Sequence, residues 1–153
     1  MLNFEHNLLY YDYRFCHLKT AKTHGQVAPH KPLLLLSVIE LVEAGKIDSP
    51  QIMLSDELVS TFNRNVQIYV PDVKHYHTNI GMPFYHMHSE PFWRLLPREE
   101  GVRPSVTSIS GLRCHYVCAE MDNELFCILT DAENRVTLQT TLINTYLKHD
   151  WYG

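Results

Sequence analysis

The chain is short of the features that mark nucleotide-driven, secreted or membrane proteins. It has only six glycines in 153 residues, none of them in a Walker loop or a G-x-G-x-x-G cluster, so the phosphate-cradling backbones of ATP and dinucleotide sites are excluded. No G-x-S-x-G elbow is present to raise a nucleophilic serine. No apolar run approaches the ~18 residues of a membrane span, and the opening Met1-Leu-Asn-Phe-Glu-His6 has neither the basic start nor the apolar stretch of a secretory signal. Cysteine is sparse as well. Cys16, Cys114, Cys118 and Cys127 show no C-x-x-C spacing, which fits small core residues in a reducing compartment. These absences point to a cytoplasmic protein.

A surplus of positive charge is also missing. With 13 Lys and Arg against 17 Asp and Glu the formal charge is −4, the wrong sign for an indiscriminate binder of polyanions. The charges are nevertheless unevenly spread. No acid occurs from Tyr13 to Ile39, where Arg14, Lys19, Lys22 and Lys31 stand with His17, His24 and His30, while Glu120, Asp122, Glu124, Asp131 and Glu133 crowd the last third. Such a chain can present a basic face despite its overall sign.

The length suits one domain with a single core. Apolar spacing over residues 3–18 predicts a first helix, and the small, polar segment 20–29 reads as a loop. Pro32 stands where a first-turn proline belongs, and the run Leu33 to Val42 reads as a central helix ending at Ala44-Gly45. Ser55 followed by Asp56 and Glu57 opens another helix reaching about Gln67. Aromatic-rich residues 79–88 and 92–96, divided by Ser89-Glu90-Pro91, read as two strands around a turn. Residues 99–111 read as a loop. Asp122 and Asp131 read as N-caps of helices over 124–129 and 133–147. The sum is a mostly helical α+β domain over residues 1–153 with a small antiparallel sheet.

Two constellations carry chemistry. The first is histidine, ten residues of it, with His75/His77 and His86/His88 as His-x-His pairs. On a strand such a pair turns two imidazoles to one face, and the four together offer a transition-metal set; a metal-binding module or metal-dependent enzyme is therefore the alternative reading. The second is a pair of rigid apolar edges. His30-Lys31 sets an imidazole and a cation beside the free N–H groups of the Pro32 helix start, suited to a phosphate or a base edge. Met82-Pro83-Phe84 adds stiff, uncharged surface.

His30-Lys-Pro-Leu-Leu-Leu-Leu36, Leu58-Val-Ser-Thr-Phe62, Pro83-Phe-Tyr-His86, Phe92-Trp-Arg-Leu-Leu-Pro97, Tyr116-Val-Cys-Ala-Glu120 and the closing Leu138 to Leu147, in this order, resemble the N-terminal domain of bacterial HNH restriction endonucleases. Related domains of type IV enzymes read phosphorothioate DNA, in which sulfur replaces a non-bridging phosphate oxygen. The resemblance covers nearly the whole chain. It implies a double-stranded DNA partner, phosphorothioate-modified or plain, with no cofactor of the domain's own, and leaves a homodimer open. It assigns DNA contact to His30 and Lys31, to the cup residues Met82, Pro83, Phe84 and His86, to Arg113 as the cup's further arginine, and to the basic Lys22-Thr23 step. Where the sulfur readers place an aromatic before the proline this chain has Met82; where they place a small residue three positions after it, this chain has His86; and Lys31 stands where arginine is common. The HNH nuclease, the one part that needs a divalent metal, has no counterpart in these residues.

Overall fold

The computed structural model describes residues 6–20, 22–23, 26–70 and 79–147. Helix α1, Leu8–Cys16, starts at Asn7, whose side chain accepts the Tyr10 N–H at 3.1 Å. Lys22–Thr23 and Gln26–Val27 pair antiparallel as strands β1 and β2, a small ribbon within the segment predicted to be loop. Helix α2, His30–Glu43, takes Pro32 in its first turn, where the missing N–H would lack a helical partner anyway. Its end is the predicted one. Gly45 takes φ 74°, its N–H reaches the Val42 carbonyl at 3.0 Å and the Lys46 N–H reaches Leu41 at 2.9 Å, a Schellman stop that satisfies the last carbonyls.

Helix α2 is buried on nearly all sides because the rest of the chain wraps it. Leu33, Leu34, Leu36, Val38 and Ile39 are each at most 2 % exposed, and each such side chain contributes about 1.5–3 kcal/mol on burial. Helix α3, Asp56–Tyr69, lies against it, capped by Ser55 as expected and two residues longer than expected. A buried polar tie joins the two: Asn65 Nδ2 donates to Ser37 Oγ, which donates to the Leu33 carbonyl.

The sheet is antiparallel, in the order β3 (Gln51–Ile52), β5 (Tyr116–Met121), β4 (Trp93–Pro97). Pro97 sits at a register shift on the edge strand β4, where its lack of an N–H is tolerated. Helix α5, Ile109–His115, interrupts the segment expected to be loop and ends in Cys114-His115. Helices α6, Asn123–Leu129, and α7, Ala132–Leu142, follow the two predicted aspartates, α7 running on through a wide turn over Ile143–Leu147. Asp131 caps α7 by accepting the Asn134 N–H. Asp122 makes no such cap, because its carboxylate accepts from Tyr11 OH and Arg94 Nη1, both at 2.8 Å. Of the cysteines only Cys118 is buried; Cys114 and Cys127 are exposed.

Residues 79–88 depart most from expectation. They are not a strand but helix α4, Gly81–His86, followed by a 3₁₀ turn over Met87–Ser89. The aromatic content suggested a strand, yet Gly81, Phe84 and Met87 recur at three-residue intervals and are buried together, and Pro83 sits in the first turn. Gly81 is required by space rather than by φ: a Cβ there would stand 2.0 Å from the Thr107 carbonyl oxygen. Gly81→Ala should therefore cost about 2–4 kcal/mol by forcing α4 off the 106–108 segment, read as a fall in the thermal midpoint; an unchanged midpoint would show that the segment yields freely.

Candidate nucleic-acid interface

One cleft gathers most of the residues singled out by sequence. Its volume is about 100 Å3, and its walls are the end of the α1–β1 segment (Lys19, Thr20), Ala28 two residues before α2, the start of α2 (His30, Lys31) and α4 (Met82, Pro83, His86). Met82 and His86 are four residues apart, one helical turn, and both are exposed, so they stand together at the mouth. Pro83 is buried beside them and stiffens the wall.

Beneath this cleft lies a buried ion pair. Lys31 Nζ is 2.7 Å from Glu90 Oε2 and 2.8 Å from Ser89 Oγ, with the two side chains 8 % and 2 % exposed. The same Glu90 oxygen accepts the backbone N–H of Lys19 at 2.8 Å. One carboxylate thus fastens the first basic segment, the start of α2 and the turn after α4 to one another. The sequence pattern offers Lys31 as a cation facing DNA; its ammonium is instead committed inward, and among the described residues the exposed cation of the cleft is Lys19, whose Nζ donates to the Ser89 carbonyl at 3.1 Å.

Burial disfavours the charged form of both imidazoles of the cleft. Desolvation lowers the pKa of His30 below its ordinary value, and desolvation, aided by the charges of His88 and Lys31, does the same for His86. A neutral imidazole on Met82 and Pro83 keeps the cleft apolar at its mouth while Lys19 carries the charge beside it. Chemically this is a shallow, soft-surfaced cup with a cation at its edge.

Residues 12–151 match the family described as ScoMcrA-like, DNA sulfur-binding domain. The chain belongs to that family. No curated protein sequence matches it. Two solved structures share the fold of this sulfur-binding domain. The sulfur binding domain of SprMcrA complexed with phosphorothioated DNA superposes with a TM-score of 0.68 at 17 % identity, covering 93 % of this chain and 86 % of that one. The sulfur binding domain of ScoMcrA complexed with phosphorothioated DNA gives 0.60 at 18 % identity, covering 89 % and 86 %.

Not every predicted residue of the sulfur-binding domain reaches the cleft. Phe84 is 1 % exposed and meets Trp93 edge-on at 5.9 Å, so it supports α4 from below rather than lining the cleft. Arg113 belongs to a different cleft with Met53, Leu54 and Val117, its guanidinium donating to the Leu54 carbonyl and to Asp56. The side chains of Lys22 and Thr23 lie outside the described part of the structure, as do His75 and His77.

The metal reading loses its geometric basis for the second pair. His86 and His88 do not alternate along a strand: His86 lines the cleft above, whereas His88 Nδ1 donates to the Tyr85 carbonyl at 2.6 Å and the ring faces another cavity. Among the described residues the cluster with ligand spacing is His6, Asp122 and Glu124, and both Asp122 oxygens already accept from Tyr11 and Arg94. The sequence pattern does not single out Thr20 and Ala28 as cleft residues, nor Glu90 as the fastener of Lys19 and Lys31. Thr20 and Ala28 carry no chemical signal of their own. Glu90 had one, being an acid among aromatics with no charged neighbour in sequence.

Proposed function

We propose that the domain docks on double-stranded DNA with the α2–α4 cleft over one backbone position and reads a phosphorothioate there. The observation that carries this reading is the meeting of Met82, Pro83 and a neutral His86 with the exposed cation Lys19 around one small cavity. Sulfur is larger, softer and less tightly hydrated than oxygen, so it gains from an apolar wall that would only strip water from an ordinary phosphate. Lys19 then holds a neighbouring phosphate, and His30, at the rim, faces the groove. Lys31 works indirectly, by keeping Lys19 and α2 in place through Glu90. The solved relatives were captured on phosphorothioated DNA, the class of ligand proposed for this cleft.

In this role the domain is the recognition part of a cytoplasmic restriction system, and cutting falls to an HNH module with its own divalent metal. The test is a titration of matched duplexes, with and without one phosphorothioate, at two salt concentrations. The modified duplex should bind more tightly at both. Lys19→Ala should weaken both duplexes alike and reduce the slope of log affinity against log salt by about 1. Equal affinity for the two duplexes would remove the sulfur part of the reading, and no binding at low salt would remove all of it.

A further inference from the structure

A second cleft, of about 210 Å3, opens on another flank of α4 and is lined by Tyr85, His88, Trp93, Arg94, Arg103 and Tyr116. Two aromatic hydroxyls, an imidazole and two guanidinium groups around so small a space are more than core packing needs. Their hydrogen bonds hold them in position: Tyr85 OH pairs with Ser105 Oγ at 3.0 Å, Tyr116 OH donates to the Pro104 carbonyl at 2.7 Å, and Arg103 Nη1 donates to the Leu95 carbonyl at 2.9 Å. Trp93, only 1 % exposed, is different. Its indole Nε1 is the one buried side-chain polar atom among the described residues without a hydrogen-bond partner. A buried donor left unmade is costly, so one retained in a folded domain calls for a partner that completes it.

The charge and size of the cleft narrow the ligand. Arg94 is neutralised by Asp122 at 2.8 Å and Glu120 at 3.4 Å, whereas Arg103 enters no ion pair among the described residues. One uncompensated cation is too little for a polyphosphate and suits a neutral group bearing carbonyl acceptors. The volume is well below the ~300 Å3 at which drug-sized pockets begin, the scale of a single ring system. Aromatic walls favour a flat ring, and His88, with Nδ1 donating to Tyr85, keeps Nε2 for a further polar contact.

We propose that this cleft is a nucleobase site, in which an unpaired base packs against the aromatic walls with its carbonyl oxygen accepting from Trp93 Nε1 and Arg103. The two clefts occupy different flanks of α4, on the order of a helix diameter of 10–12 Å apart, so a base near the strand held in the first lies within reach of the second. A base enters from DNA most readily where it is mispaired or single-stranded, because the cost of unstacking is then least; a free nucleoside offers the same chemistry.

The test is the Trp93 indole N–H resonance of the ¹⁵N-labelled domain, assigned by its loss in Trp93→Phe. Titration with deoxynucleosides to millimolar concentration should shift it saturably, and a duplex with one mispaired base beside the modified phosphate should shift it where the fully paired duplex does not. A response to nucleosides alone names a free nucleotide as the ligand; a response to the mispaired duplex alone names DNA. Arg103→Ala should weaken the response at least fivefold, and Met82→Asp should leave the nucleoside response intact. A resonance unmoved by both, or moved equally by deoxyribose lacking a base, overturns the proposal. Because sulfur preference is read on the same duplexes, loss of that preference with the Trp93 response kept would count against the first cleft alone.

Discussion

Lys31→Met should destabilise the domain by about 3–5 kcal/mol, because it leaves the Glu90 carboxylate buried without its cation. In a domain of this size 1 kcal/mol moves the thermal midpoint by roughly 2–4 °C, so the midpoint should fall by on the order of 10 °C. The loss belongs to the stranded charge and not to the pair as such. Lys31→Met combined with Glu90→Gln should therefore recover most of it, since the amide oxygen still accepts the Lys19 N–H and nothing charged stays buried. Thermal unfolding of the two singles and the double closes the cycle. A single variant that melts with the parent would mean that the pair is not desolvated. DNA affinity should also drop in Lys31→Met, but together with stability. Lys19→Ala should lower affinity with stability unchanged, and that contrast separates the fastener from the contact.

The largest expected effect on binding comes from a charge placed at the mouth of the first cleft. Met82 is 41 % exposed, so Met82→Asp should leave the fold intact. A carboxylate about 4–6 Å from a bound phosphate costs about 3–4 kcal/mol at an effective dielectric constant of ~20, equivalent to a roughly 100- to 1,000-fold weaker duplex complex. Fluorescence anisotropy on the matched duplexes measures it directly. Met82→Ala, which removes soft surface without adding charge, should instead narrow the gap between modified and plain DNA. If Met82→Asp bound both duplexes as well as the parent chain, DNA would have to dock on another face.

Much of the fold was legible because its signals are local. The Pro32 start and Gly45 stop of α2, the Ser55 cap of α3 and the Asp131 cap of α7 each depend on residues within four positions, and all stand where expected. Helix α4 reads as a strand in the sequence because its aromatic residues favour strands, while its helical burial pattern spans less than two turns. Strand β3 and helix α5 went unseen for a related reason: β3 has two residues and gains its partner only across the sheet, and α5 rests on a single Ser108 cap after a polar stretch.

The candidate site divides along the same line. Its apolar members and its acid-free basic segment stand in the sequence for anyone to read. What each does there depends on partners far away along the chain. Lys31 meets Glu90 across 59 positions, and that pairing turns an expected DNA-facing cation into a fastener and passes the exposed charge to Lys19. Phe84 and Met82 are two residues apart in one short helix, yet one is sealed against Trp93 and the other open to solvent. Residue type and short-range order are enough to specify the family, the α+β class and a soft, proline-stiffened edge near basic residues. Which cations remain available and which aromatic side chains are buried follows from the folded arrangement alone, because desolvation and pairing depend on what long-range packing brings alongside each group.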